Sequence, residues 1–130
     1  MVKRVGLVDK LRVTADGSGL VGHAGSALLA GMADRVGLTE ALSEAMAPTR
    51  KRASAHDPGM VLRDLVVMLA DGGDCLADLG GLRDQEDLFG GVASDSTAFR
   101  VIDSIDEAGL ERLRGAVATA RAGAWKLGGR

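Results

Sequence analysis

Ser96, Thr97 and Arg100, behind Ser94-Asp95, place two hydroxyls and a guanidinium on the polar side of one short helix. Such a set can contact the base edges or phosphates of a nucleic acid. The same residues also suit a plainly packed helix, capped by Ser94 and with Arg100 paired to a neighbouring acid. Arg50, Lys51 and Arg52 form a run of three cations that fits either a phosphate clamp or a solvated connector. Arg114 and Arg121, seven residues apart, share one face of a final helix and carry the same two readings.

Other chemistries find little support. Gly17-Ser18-Gly19 lacks any surrounding phosphate-loop pattern and reads as a turn. His23 and His56 have no nearby cysteine or paired histidine, so no zinc site is expected. Cys75 lies near a helix start, a position that can activate a thiol, and a small apolar cysteine is the simpler reading. There are no tyrosines, and Phe89, Phe99 and Trp125 are too few for a base-stacking platform.

These groups need elements to hold them. The chain has 130 residues, enough for one domain with a core that needs no staples. Its single cysteine excludes an internal disulfide and suits a reducing compartment. The basic N-terminus has no apolar run of signal-peptide length, and Met60–Ala70 is interrupted by Arg63 and Asp64 and too short to span a bilayer. A cytoplasmic, nucleoid-associated protein is expected. The net charge of −2 hides a strong asymmetry. Residues 64–111 carry twelve acids against Arg83 and Arg100, whereas residues 112–130 carry five cations and no acid.

The expected fold is mostly α, a small helical domain with a short N-terminal β-hairpin and a helix-turn-helix-like segment. The hairpin comes from Leu11–Thr14, the turn Ala15–Gly19 with its Asp-Gly pair, and Leu20-Val21. It places a hairpin segment at residues 1–22 and a helical domain at 23–130. Helix Gly25–Val36 has Leu28, Leu29, Met32 and Val36 at helical spacing, with Gly37 as its stop. Thr39 is expected to cap a second helix ending near Met46. Asp57 and Pro58 open a third, apolar nearly all round and therefore central. Asp74 can cap a helix bearing Leu76, Leu79 and Leu82; then comes Asp95–Ile105, with Ala98, Val101, Ile102 and Ile105 inward. A last helix, Glu107–Trp125, has Leu110, Leu113, Val117 and Ala124 on one face.

Several strings, in order, carry a resemblance: VTADGSGLV, HAGSALLAGMADRVGLTEAL, HDPGMVLRDLVVMLADGGDCLADLGGLRDQEDLFG and VASDSTAFRVID. Together they resemble the N-terminal region of bacterial insertion-sequence transposases with a DDE group 1 catalytic domain. The resemblance implies a ribonuclease-H-like domain whose three carboxylates hold two divalent metals, Mg²⁺ by their oxygen chemistry. No β-branched run ending in Asp follows Trp125, and Asp71, Asp74, Asp78 and Asp84 lie on helices or helix ends where solvation accounts for them. The expectation is therefore a truncated transposase piece that is not an enzyme, with no catalytic residue, metal or cofactor of its own. Its expected partners are the double-stranded DNA of element ends and, through self-association or otherwise, the full-length transposase, with no membrane. The expected DNA-contact set is Arg50, Lys51, Arg52, Ser96, Thr97, Arg100, Arg114 and Arg121. The alternatives are a protein-interaction module without DNA affinity and a decayed reading frame.

Overall fold

A computed structural model describes residues 24–51 and 56–129. The expected hairpin at 11–21 and Arg52 lie outside the described residues. Among those residues the chain is helical and contains no strand. The helices are α1 (Ala24–Arg35), α2 (Leu38–Met46), α3 (Pro58–Ala70), α4 (Gly80–Arg83), α5 (Glu86–Phe89), α6 (Asp95–Asp103) and α7 (Glu107–Gly128). Short 3₁₀ turns occupy Ala47–Thr49 and Leu76–Leu79.

Helix α3 is the axis of the domain, and its start follows from two adjacent residues. Asp57 Oδ1 accepts from Gly59 N at 2.8 Å, satisfying one orphan amide, while Pro58 at the first helical position has no amide to lose. Asp57 Oδ2 accepts from Ser43 Oγ at 2.8 Å, so the same carboxylate ties α3 to α2. Val61, Leu65, Val67 and Met68 are buried, and they meet Leu79, Leu82, Phe89, Val92 and Ala98 in the main core. A smaller cluster joins Leu42 and Ala45 of α2 to Ala116 of α7, with Leu113 packed against it.

The faces of α1 and α7 differ from the expectation. Helix α1 buries Ser26, Ala27, Ala30 and Ala33, while Leu28 and Met32 stand about 59% and 61% exposed. Helix α7 buries Gly109, Ala116 and Ala120 and leaves Leu110 and Val117 each 44% exposed. Small side chains let the axes approach closely, and that close packing selected the stripe. A Cβ on Gly123 would lie 2.6 Å from the Val36 carbonyl oxygen, and one on Gly59 only 2.2 Å from Ser43 N.

Two expected caps also move. Gly37, at φ 81° where L side chains are strained, ends α1 and is the N-cap of α2; Thr39 instead donates to Asp34 Oδ1. The turn after α3 is capped at Cys75, with Asp78 reaching back, and Asp74 is not the cap. Leu76 and Leu79 lie on the 3₁₀ turn, whose period is three, and Leu82 follows on α4.

A buried ionic group went unforeseen. Arg63 is 2% exposed and its Nε donates to Asp64 Oδ1 at 2.9 Å, with Nη1 reaching Asp34 Oδ1 at 3.3 Å. It joins α3 to α1 across the core. The polar pair inside an otherwise apolar helix was the signal available for it.

Candidate functional site

The segment expected to resemble a helix-turn-helix does not take that form. Between Gly72 and α6 the chain makes a 3₁₀ turn and two four-residue helices, not one helix long enough to brace a recognition helix. The chain leaves helix at Asp84-Gln85 and again at Gly90, whose φ of 68° favours glycine.

Within α6 the candidate reading groups serve the helix itself. Thr97 N donates to Ser94 Oγ at 3.2 Å, Ser94 Oγ donates to Thr97 Oγ1 at 3.0 Å, and Ser96 Oγ lies 3.3 Å from Ser94 Oγ. Arg100 does not pair with an acid through its Nε, which donates to the Ser96 carbonyl at 3.2 Å. Asp95 is held by Arg83 Nη2 at 2.6 Å, and Arg83 also donates to the Ala93 carbonyl at 3.0 Å. Arg83 thus fixes the chain's entry into α6. Sequence reasoning missed it, although an arginine isolated among acids is a recognisable signal.

The other cations fall on the α2–α7 pair. These helices run antiparallel: Arg112 Nε donates to the Ala45 carbonyl at 2.8 Å, while Gly123 lies against Val36. Arg50 and Lys51 are exposed and leave the 3₁₀ turn that follows α2, near the Arg112 end. Arg114 and Arg121 are both exposed on the outer side of α7, and Arg114 pairs with Glu111 one turn earlier. Seven residues of helix put them roughly 10 Å apart along the axis. Arg50 and Lys51 thus follow α2 along the chain at the end that Arg112 contacts, whereas Arg114 and Arg121 stand on the outer side of α7. Ser96, Thr97 and Arg100 make the hydrogen bonds described above within α6 and its cap.

Among the described residues one trio could approach a metal ion: Asp74, Cys75 and Asp78, whose ligand atoms lie within 4.8 Å of one another. Asp78 also lines an open depression of about 310 Å³ with Met68, Asp71 and Leu82. Its Oδ2 accepts from Asp74 N at 2.9 Å, Cys75 N at 3.2 Å and Cys75 Sγ at 3.4 Å. The Asp74 amide first, then the Cys75 amide and thiol, hold this carboxyl below the usual carboxylate range. A thiol is a poor donor to Mg²⁺, and the Asp78 oxygen is already committed to backbone amides. The trio does not fit the magnesium pair that the resemblance implies.

No described helix is long and apolar enough to cross a membrane. No curated protein and no solved structure matches the chain significantly. A family model does match, described as transposase DDE domain group 1 and covering residues 3–126. That match corrects the expectation that the chain is not an enzyme. The matched model describes the catalytic DDE domain and runs over nearly the whole sequence, so the absence of a recognisable carboxylate triad did not justify setting the chain apart from it. From the ordered motifs, and from a family match over almost all its length, the chain belongs to the transposase DDE domain group 1 family.

Proposed function

We propose that this chain engages double-stranded DNA during transposition, with the element ends as its substrate, and that the α2–α7 pair supplies the contact. The observation that carries this reading is the charge on α7. Beyond Glu111 no acid occurs to the end of the chain, and Arg114 and Arg121 stand exposed on one outer face. Arg50 and Lys51, exposed after α2, add two further cations to the proposed set. Cations in this arrangement neutralise phosphates and release counterions, which gives affinity without base reading. The acidic surroundings of α6, together with the internal use of Ser94, Thr97 and Arg100, favour phosphate contact by α7 over groove entry by α6.

Fluorescence anisotropy with duplexes carrying the element's terminal repeat, and with scrambled duplexes, tests the proposal across a salt series. Binding should weaken steeply with salt, and Arg114→Ala with Arg121→Ala should flatten that slope by about two phosphate contacts. Arg50→Ala with Lys51→Ala should weaken both duplexes alike. Wild-type protein that fails to bind either duplex at low salt would overturn the proposal. Loss of discrimination in Arg100→Ala alone would return sequence reading to α6.

A further inference from the structure

Helix α7 carries an apolar pattern that its contact with α2 uses only in part. Leu110, Leu113, Val117, Ala120, Ala124 and Leu127 follow one another at spacings of three and four, a heptad seam. Helix α2 covers one flank of that seam, where Gly109, Ala116 and Ala120 are buried and Leu113 is packed. The other flank is bare: Leu110 and Val117 are each 44% exposed, and Ala124 is exposed. At 22 residues α7 is roughly 33 Å long, against about 13 Å for the nine-residue α2.

We infer that a second copy of this chain docks here, its α7 antiparallel to the first. The charges beside the bare flank select that partner. Glu107, Arg114 and Arg121 occupy equivalent heptad positions, with the acid and the outer arginine equally distant from Arg114. A two-fold axis at Arg114 therefore sets Glu107 against the partner's Arg121 and Arg121 against the partner's Glu107. The same register packs Leu110 beside the partner's Val117. An isologous interface requires such self-complementarity, since each residue must meet its counterpart's partner in both directions. The two Arg114 side chains that approach at the axis are each already paired with Glu111 of their own helix. Duplex DNA matches only the cationic half of this stripe, because Glu107 repels phosphate. The dimer is a DNA-free form, and Arg121 serves either a phosphate or the partner's Glu107, not both.

Sedimentation velocity on the full chain without DNA, over a micromolar to submillimolar series, tests the inference. The wild type should shift from monomer to dimer mass. Val117→Glu should remain monomeric, with helical circular dichroism unchanged because this side chain does not face α2. Glu107→Arg and Arg121→Glu should each raise the dimer dissociation constant roughly tenfold, since symmetry removes two ion pairs at once. The double variant Glu107→Arg/Arg121→Glu should recover the dimer. A wild type that stays monomeric throughout overturns the inference, including one that shifts only when duplex DNA is added. Association that ignores Val117→Glu, or single charge reversals that weaken it without recovery in the double variant, overturns it equally. DNA affinity is measured separately, so failure here leaves the DNA proposal standing.

Discussion

Arg112 donates through Nε to the backbone carbonyl of Ala45, 67 residues earlier in the chain, at 2.8 Å. That oxygen lies in the last turn of α2, where carbonyls lack an intrahelical donor, so a cation there satisfies an orphan acceptor and complements the helix dipole. Arg112→Ala should cost about 1–2 kcal/mol in chemical denaturation, given its partial burial. Arg114→Ala, two residues away with only an exposed ion pair to lose, should cost under about 0.5 kcal/mol. Equal costs would show that the Ala45 contact contributes nothing.

Gly59 touches the backbone of α2. Its added Cβ would meet Ser43 N at 2.2 Å and Leu42 C at 2.6 Å, and neither atom can rotate away. Gly59→Ala should destabilise by about 1–3 kcal/mol or more through overpacking, despite the better helix propensity of alanine. A variant as stable as the wild type would mean that α2 and α3 can part without cost.

Asp64 neutralises the buried Arg63. Asp64→Ala leaves that guanidinium with Asp34 at 3.3 Å and should cost about 3–5 kcal/mol. Arg63→Met combined with Asp64→Leu removes both charges and should recover most of the loss. The melting temperatures of the wild type, Arg63→Met, Asp64→Leu and the double variant provide the comparison. A double variant less stable than the sum of the singles would contradict the account.

Asp78 holds the turn after α3 with its carboxylate. Because the folded state lowers its pKa from the ordinary 3.8, this contribution is present above that value and disappears as pH falls through the lower folded pKa. Carbon-detected NMR titration of the side chain should show a midpoint below that of an ordinary aspartate. Asp78→Asn should abolish the difference in turn stability between neutral and acid solution. A midpoint at or above 3.8 would exclude the cap.

Helix starts were legible at Asp57 and Ser94 and not at Thr39 or Asp74. Asp57-Pro58 and Ser94 each act where their chemistry predicts, because a cap is a contact between residues two or three apart. Helix faces were not. Leu28, Met32, Leu110 and Val117 satisfy the 3.6-residue period as well as the alanines that are buried, and periodicity cannot say which stripe a neighbour will cover. The helix-turn-helix-like expectation failed similarly: a leucine every third residue suits a 3₁₀ turn as well as an α-helix, and the chain leaves helix at Asp84-Gln85 and at Gly90.

The ordered motifs by themselves identified the transposase relationship, the helical class and the charge gradient along the chain, since each is carried by residue type and short spacing. Tertiary structure decided how those residues are used. It folded the hydroxyls of α6 into a cap, turned Arg83 and Arg112 into struts, and left Arg114 and Arg121 outward on α7. The reason is range. Hydrogen bonds over three or four residues follow from local order, while a contact spanning 67 residues depends on how whole helices pack.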